Sequence, residues 1–194
     1  MTTNSLSISG FFTLFFLLSL QLQAATYTFS GTGDWNDPTR WIPGVPDDTL
    51  AQGDSIIIHV SAICTVSNLK QTILSGAVME IAAGTSVTVQ GSQGFLVFGS
   101  FICNGTLDLA GELEMAAGST GGGTGSLHLN NGFAVLRNTN GELPGAVFTW
   151  TIGTFVIGSG ATYTAAGDFT KPIFAHMTLE PGSAFIALQD FTSE

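Results

Sequence analysis

The sequence predicts an all-β chain wound as a parallel β-helix, and three observations point to it. Short runs of alternating apolar and polar residues recur along the chain, separated by Gly, Asn and Ser. A loose phrase of a small residue, Gly, a short strand, small residues and Gly occurs at 75–84, 110–118 and 159–167. Phenylalanine is abundant, with 15 of 194 residues, and suits stacking inside successive coils.

The predicted strands are short and follow one another at about 8–12 residues. They cover 55–59, 78–81, 86–90, 95–98, 106–109, 112–115, 126–129, 146–150, 154–157 and 184–188. Asn-Gly pairs at 104–105, 131–132 and 140–141 predict turns.

The repeated phrase sets the expected coil length. Ala-Ala-Gly begins at 82, 116 and 165, and these uneven steps fit pairs of coils of about 17–24 residues each. The phenylalanines expected inside the coils are Phe95, Phe98, Phe101, Phe133, Phe148, Phe155, Phe174 and Phe185. A β-sandwich or jelly roll also has short strands and Gly-rich turns, and it is the alternative. The repetition favours the solenoid.

Composition excludes several classes of function. Only 9% of residues are charged, against roughly 25% in an ordinary soluble domain, and the formal net charge is -10. Four Lys and Arg residues are too few to neutralise a row of phosphates, which excludes nucleic acid and an anionic membrane surface as partners. The same shortage of Glu, Lys and Arg excludes a coiled coil.

Residues 1–24 predict a secretory signal peptide. They carry no charged side chain, and 8–20 is a mostly apolar run that is shorter than the roughly 20 residues a membrane span needs. A small-residue cleavage site follows at 21–25. A buried core helix is the alternative. We therefore expect a secreted or cell-surface protein, periplasmic or extracellular, with no transmembrane span in the mature chain.

The block 25–60 predicts an N-terminal cap, and 61–194 the β-helix repeats. The block contains Trp35, Trp41 and three of the six prolines. An uncovered end of a β-helix would pair with other chains, and bulky side chains with Pro turns prevent this.

The same block resembles the start of many secreted, β-helical surface proteins of Gram-negative gliding bacteria. The matching residues are Gly33-Asp34-Trp35, Trp41, Gly44-Val45-Pro46, Gly53-Asp54 and Ile56-Ile57-Ile58. The pattern is similar, more weakly, to the G8 domain, an extracellular Gly-rich module, and the resemblance covers about residues 27–90. It implies export and a right-handed β-helix, and it implies no catalytic residues. Such proteins often carry a C-terminal sorting domain, and this chain ends without one, so a short protein and a truncated one both stay open.

The two cysteines, Cys64 and Cys103, are expected to be unbonded. If they lie two coils apart, their stacked positions are about 9.6 Å apart, whereas a disulfide needs Cα atoms within about 6.8 Å. A long capping coil would allow the bond.

Acidic residues of the cap are candidate calcium ligands. Asp34, Asn36, Asp37, Asp47 and Asp48 offer hard oxygen ligands, and Asp54 follows them. Asp beside Pro and Gly is more often ordinary turn chemistry, and no EF-hand spacing is present. We expect no cofactor, with calcium as the one alternative.

The three histidines, His59, His128 and His176, occur singly, so solvated strand positions are expected for them. The segment 118–125 is rich in glycine and is expected to be a flexible turn, because it lacks the Gly-Lys-Ser/Thr of a phosphate-binding loop.

Glu112 and Glu114 form the pattern that points most directly to catalysis. Two residues apart in a strand, they point the same way at about 7 Å, within the range of an inverting glycosidase pair. Asp108 is near in sequence. The alternative interpretation is that Leu113 and Met115 take the core face and the two glutamates simply face outward.

A polysaccharide lyase would also need a basic group for proton abstraction. The four cations, Arg40, Lys70, Arg137 and Lys171, are scattered along the chain. Trp150 or Tyr163, if exposed, could stack on sugars, although core packing is the commoner fate of aromatic side chains.

These observations favour an exported, non-enzymatic β-solenoid with a surface structural or adhesion role. Its expected partners are extracellular polysaccharide or cell-surface components. A carbohydrate-active β-helix using Glu112, Glu114 and Asp108 is the alternative, and a fragment of a larger surface protein is a third. A groove that holds these carboxylates with Arg137 or an aromatic platform would favour the enzyme, and an isolated solvent face would favour the structural module.

Overall fold

The computed structural model describes residues 24–67, 69–165 and 169–193. The predicted signal peptide lies outside these residues except for Ala24. In the part of the chain that the structure describes, no helix is long and apolar enough to cross a membrane.

Nearly all of the regular structure in the described residues is β-strand. A single turn of 3-10 helix covers Pro38–Arg40. The strands are β1 (Thr26–Phe29), β2 (Thr32–Asp34), β3 (Trp41–Ile42), β4 (Thr49–Leu50), β5 (Ser55–Ile58), β6 (Ile63–Val66), β7 (Lys70–Ile73), β8 (Val78–Ile81), β9 (Ser86–Val97), β10 (Ser100–Cys103), β11 (Thr106–Met115), β12 (Thr120–Gly122), β13 (Ser126–Leu136), β14 (Val147–Ile157), β15 (Thr162–Ala165), β16 (Phe169–Lys171), β17 (Ala175–Leu179), β18 (Ala184–Ala187) and β19 (Phe191–Ser193).

Each central coil contributes strand to three faces of the stack. Face 1 is formed by β1, β5, β8, β10 and β12. Face 2 is formed by β2, β6 and the first halves of β9, β11, β13 and β14. Face 3 is formed by β4, β7, the second halves of the same four strands, and β17. Every pairing between coils is parallel, so the predicted β-solenoid is confirmed over the β-sandwich.

The coil length agrees with the sequence expectation. His128 follows its register partner Asp108 by 20 residues, and Val78 follows its partner Ser55 by 23. Both lengths fall in the range that the repeated phrase predicts.

Strand β11 shows why this sequence forms a coil. Its residues alternate between partly exposed and buried throughout, so Leu107, Leu109, Leu113 and Met115 all face the core. Gly111 takes the remaining inward position, between Leu109 and Leu113, at the corner between faces 2 and 3. A Cβ there would lie 2.2 Å from the carbonyl oxygen of Gln93. The glycine therefore permits the close approach of two coils at the corner.

The core is a stack of inward side chains on neighbouring coils. Leu107, for example, is in register with Val87 below and Leu127 above, and all three are fully buried. Burial of apolar area in every coil is the main stabilising contribution.

Aromatic rings form two groups within this stack. Near the N-terminus, Phe95 contacts both Trp35 and Phe101, with ring centroids 5.9 and 5.3 Å apart. Toward the C-terminus a second group surrounds Phe148 and Phe169. Inward stacking is thus confirmed for Phe95, Phe101 and Phe155 as fully buried residues and for Phe148 and Phe185 as partly buried ones.

Three phenylalanines were expected inside and are not. Phe133 is 42% exposed, because a bulge at Asn130–Gly132 shifts the alternation and turns Ala134 inward instead. Phe98 and Phe174 lie at bends between strands, where they are 39% and 73% exposed.

A short strand lies against β1 at the N-terminal end of the stack. Strand β3 pairs antiparallel with the free edge of β1, and Trp41 stands opposite Phe29. Trp35 and Trp41 are 0% and 4% exposed, and the Trp41 indole N–H donates to the carbonyl oxygen of Trp35. The predicted cap also contains β5, a regular coil strand.

The glycine-rich segment 118–125 is not a flexible turn. It contains β12, which pairs with β10 in parallel. A Cβ at Gly125 would lie 2.0 Å from the carbonyl oxygen of Gly105, so two coils touch there through their backbones. The glycine content predicted a flexible segment. The close contact between coils explains the glycines instead, because a side chain would not fit there.

Both cysteines are free and buried, as the coil count predicts. Cys64 lies in β6 on face 2 and Cys103 in β10 on face 1. Burial raises the pKa of both thiols, to about 11 for Cys103.

The stack is interrupted near its C-terminal end. Among the residues that the structure describes beyond β12, face 1 has no regular strand until β15, and the one strand that pairs with β15 there is β18. On face 2, β16 pairs with β19 and not with β14. Face 3 alone continues across this level, through the pairing of β14 with β17.

Candidate functional site

Asp108 and His128 are neighbours on the outside of face 2. They are register partners on adjacent coils, with His128 Nδ1 and Asp108 Oδ1 3.0 Å apart. Both side chains are about two-fifths exposed. Asp108 therefore has a partner along the ladder rather than across a groove.

Glu112 lies outward on face 3 and is held by Lys70. The Lys70 Nζ donates to Glu112 Oε2 at 2.8 Å, although a whole coil separates the two residues. Gly94 is the register partner of both and has no side chain to obstruct the contact.

Glu114 is held by a different cation. Arg137 Nε donates to Glu114 Oε1 at 3.2 Å, and its Nη1 donates to Glu180 Oε2 at 2.8 Å. Glu180 also accepts a bond of 2.9 Å from the backbone N–H of Ser159. The hydrogen bond from Arg137 lowers the pKa of Glu180, and the bond to Glu180 raises the pKa of Arg137.

The outward placement of Glu112 and Glu114 agrees with the alternation, since Leu113 and Met115 take the core face. The structure brings Arg137 to Glu114 but gives Glu112 a separate partner. Neither glutamate lines either of the two cavities described below. Catalysis by this pair stays a prediction.

The acidic residues of the cap stabilise turns. Asp34 Oδ1 accepts from the backbone N–H of Asn36 at 2.9 Å, and its Oδ2 accepts from the Ser67 hydroxyl. Asp54 Oδ1 accepts from the backbone N–H of Ala25 at 2.7 Å, which ties the start of β1 to the next coil.

Asp37 caps the 3-10 turn. Its Oδ1 accepts from the backbone N–H and the hydroxyl of Thr39 at 2.9 and 2.7 Å, and its Oδ2 accepts from Arg40. The hydrogen bonds from Thr39 lower the pKa of Asp37.

The other two acidic residues of this group use their backbones. The carbonyl oxygens of Asp47 and Asp48 accept hydrogen bonds from the Gln71 side chain and the Thr72 backbone N–H on the following coil. Among the described residues no three His, Cys, Asp or Glu side chains converge as metal ligands. Calcium binding stays a prediction.

The remaining histidines are on the outside of the stack. His176 is exposed in β17. His59 is exposed beyond the end of β5, and its Nδ1 lies 3.4 Å from the carbonyl oxygen of Val60. These positions agree with solvated side chains.

Two cavities open at the interrupted level of the stack, and Phe148 lines both. The first cavity, on face 2, has a volume of about 280 Å³ and is lined by Phe148, Thr149, Trp150, Phe169 and Thr170. The second cavity, on face 1, also has about 280 Å³ and lies between β12, the irregular segment 141–146 and β15. Burial raises the pKa of Tyr163, which lines the second cavity, to about 12.

Sequence reasoning missed both cavities. The signal that could have indicated them is the segment 137–146, which has an Asn-Gly pair, a proline and no alternation at a position where a coil should place a strand. Trp150 was expected in the core, and it is 7% exposed. Its indole N–H has no hydrogen-bond partner in the described structure.

No protein-family description, no curated protein and no solved structure matches the chain.

Proposed function

We propose that the chain is an exported, non-enzymatic β-solenoid that serves as a structural or adhesion module at the cell surface. Parallel ladders run unbroken to β12 on face 1, to β14 on face 2 and to β17 on face 3, and they support a rigid scaffold with an extended outer face, which suits shape-based binding. Extracellular polysaccharide or another cell-surface component is the proposed partner.

The observation that carries this proposal is the set of contacts that the outward carboxylates make. The outward carboxylates contact nitrogen-bearing side chains on other coils along the ladder, in three separate groups around His128, Lys70 and Arg137. An enzyme site would instead gather carboxylates around a substrate-sized cleft.

Hydroxyl groups on the outer face are aligned in the same manner. Ser100 and Thr120 are register partners whose hydroxyl oxygens lie 2.8 Å apart. Thr170 and Thr192 repeat the arrangement at 3.0 Å. Each pair presents two neutral hydrogen-bonding groups at the strand spacing, which favours an uncharged partner.

A carbohydrate-active β-helix is the second candidate, because Arg137 contacts Glu114 as that hypothesis requires. In it, Glu112, Glu114 and Asp108 would supply the acids. None of the three carboxylates lines the two cavities beside Phe148.

One experiment separates the two candidates. Glycan-array binding and polysaccharide-degradation assays are run on the protein and on its E112Q/E114Q double variant, with D48N, at an exposed acid of the N-terminal block, as the control. The structural proposal expects glycan binding without turnover, unchanged in both variants. Turnover that E112Q/E114Q abolishes and D48N preserves would establish the enzyme instead. Neither binding nor turnover would leave a purely structural role and contradict adhesion.

A further inference from the structure

The last coil that the structure describes leaves one edge of the stack open. Its strands are β17 on face 3, β18 on face 1 and β19 on face 2, and each pairs on one side with the coil before it. Among the described residues, none of the three has a strand partner on its other side. Three strands therefore present unpaired backbone N–H and C=O groups in the same direction, which favours pairing with another chain.

Exposed large apolar side chains are concentrated at this edge. In the middle of the stack, residues 99–132 expose none. Six lie within the stretch 173–191: Ile173, Phe174, Leu179, Ile186, Leu188 and Phe191. Exposed apolar side chains that gather in one region mark an interaction surface.

The aromatic core itself reaches this edge. The Phe191 ring lies almost parallel to that of Phe169 in the coil below, with centroids 6.0 Å apart and planes inclined by 9°. Phe191 also contacts Phe185 at 5.6 Å, yet it is 47% exposed. A partner that covers this ring has to supply apolar side chains of its own, as a further coil of a solenoid does.

The three strands lack the features that usually prevent an open edge from pairing. Such features include charged side chains and prolines. Strands β17, β18 and β19 contain no Pro, Asp, Glu, Lys or Arg. At the opposite end of the stack, by contrast, β3 occupies the outer edge of β1, and Trp35 and Trp41 are buried. The two ends of the stack are therefore not equivalent, and the last coil is the one suited to association.

A second copy of the chain matches this surface in size and shape. The last coil covers residues 172–193, and its length falls within the roughly 20–30 residues per side that stable interfaces use. A second copy presents three open strand edges at the same angles around the same kind of apolar centre. A single strand added from an unrelated protein would cover one face and leave the other two open.

The rise of the coil determines how two copies fit together. Successive coils are about 4.8 Å apart and have three faces, so β17, β18 and β19 lie at heights that increase by about 1.6 Å from one to the next. Two such edges meet along all three faces when the lowest strand of each copy lies against the highest strand of the other. A two-fold axis through the middle of β18 gives this arrangement, because it pairs β18 with itself and β17 with β19. The same rotation reverses the strand direction, so all three pairs are antiparallel.

We propose that two copies of the chain form a dimer through their last coils, about a two-fold axis that passes through β18. In this dimer β18 lies antiparallel to β18 of the other copy, and β17 lies antiparallel to β19 of the other copy. The two apolar cores become continuous, and the outer faces extend over twice the length. This assembly goes beyond the proposed adhesive function and does not depend on it.

The first measurement is the mass of the unaltered chain in solution. The full-length gene product is secreted, so that a signal peptide is removed, and it is studied by sedimentation velocity over a range of concentrations. We expect a dimer that dissociates on dilution, with no larger species, because a two-fold contact closes on itself. Each copy has a formal net charge of -10, so added salt is expected to strengthen the dimer.

A charge placed at the axis tests the location of the contact. Ile186 is 44% exposed in β18, next to the axis. In I186K the new ammonium groups of the two copies lie close together, and we expect the dimer affinity to fall about tenfold or more. I42K is the matched control, because Ile42 is 72% exposed in β3 at the opposite end, and it is expected to leave the affinity unchanged.

Cross-linking tests the two-fold relation, in a background of C64A and C103A. Position 186 of one copy lies beside position 186 of the other, so a short bismaleimide is expected to join two I186C chains. Thr178 is exposed in β17, which faces β19 of the other copy. T178C is therefore the control, and the same reagent is expected not to join two T178C chains.

A monomer at every concentration overturns the inference, whether the edge then stays open or another part of the chain covers it. Species that grow beyond the dimer with concentration overturn it as well, because they indicate an open-ended contact. A dimer that I186K and I42K affect equally, or T178C cross-linking as efficient as that of I186C, contradicts the axis through β18. Because the mass is measured on the unaltered chain, the central test does not depend on the folding of a variant.

Discussion

The Lys70 ammonium lies 2.8 Å from the Glu112 carboxylate across a coil that contributes only Gly94 at this position. The backbones of neighbouring coils also approach closely at Gly94, because a Cβ there would lie 1.7 Å from the carbonyl oxygen of Glu112. This position joins three coils through one contact between side chains and one between backbones. It therefore tests how tightly the coils are stacked.

Replacing Gly94 with alanine is expected to lower the free energy of unfolding by about 1–3 kcal/mol, since the neighbouring backbone must move to admit the methyl group. The measurement is the urea midpoint with its slope. G44A is the matched control, because a Cβ at Gly44 meets nothing within 4 Å. Equal midpoints for the two variants would show that the coils are further apart than described.

The ion pair itself is expected to contribute little. Lys70 and Glu112 side chains are 47% and 41% exposed, and water and salt weaken exposed pairs. A double-mutant cycle with K70M and E112Q is expected to give a coupling free energy of about 0.2–1 kcal/mol that falls as salt is added. A coupling of several kcal/mol would indicate a buried pair and contradict the exposure of the site.

Phe95 is expected to be among the most sensitive core positions. It is fully buried and joins Trp35 to Phe101. F95A should lower the free energy of unfolding by about 3–5 kcal/mol, because it leaves a cavity that the stacked coils cannot close. F174A is the control, since Phe174 is 73% exposed, and it should change stability by less than about 0.5 kcal/mol. Similar losses for both variants would refute the assignment of the core.

The thiols should be inert in the folded protein and limit its stability at high pH. Burial raises the pKa of Cys103 from 9.0 to about 11. The unfolded thiol ionises first, so its contribution to stability is complete below pH 9.0 and is lost as pH rises toward about 11. We expect no reaction of either cysteine with a thiol reagent at pH 8 until denaturant is added.

The C103A variant tests whether ionisation of the Cys103 thiol causes the loss of stability at high pH. Its stability should fall less between pH 9.0 and about 11 than that of the unaltered chain, when both are measured by urea unfolding at each pH. Rapid labelling of Cys103 in the native state would contradict the burial of this thiol.

Much of the fold could be predicted because alternation is a local property. The two-residue period alone predicts that Glu112 and Glu114 point outward and that Leu113 and Met115 point inward. The partner of Glu112 could not be predicted in the same way, because Lys70 is 42 residues away and the match depends on the length of every intervening corner.

Irregularities in the coils explain the rest. The bulge at Asn130–Gly132 reverses the alternation and exposes Phe133, and nothing in the local sequence sets on which residue it falls. The cavities beside Phe148 arise where one coil omits a strand. Whether a strand finds a pairing partner depends on the whole stack. The two cavities could therefore not be predicted from the sequence of one strand at a time.

Stacking of parallel coils is tested most directly by engineered cross-links on face 2, in a background of C64A and C103A. Thr106 and Ser126 are register partners on adjacent coils, and Ser126 is in turn the partner of Val147. Adjacent positions are about 4.8 Å apart and alternate ones about 9.6 Å, whereas a disulfide needs about 4.4–6.8 Å between Cα atoms. We predict that T106C/S126C oxidises to a disulfide without loss of stability and that T106C/V147C does not. Bond formation in the second pair, or failure in the first, would contradict the parallel stack.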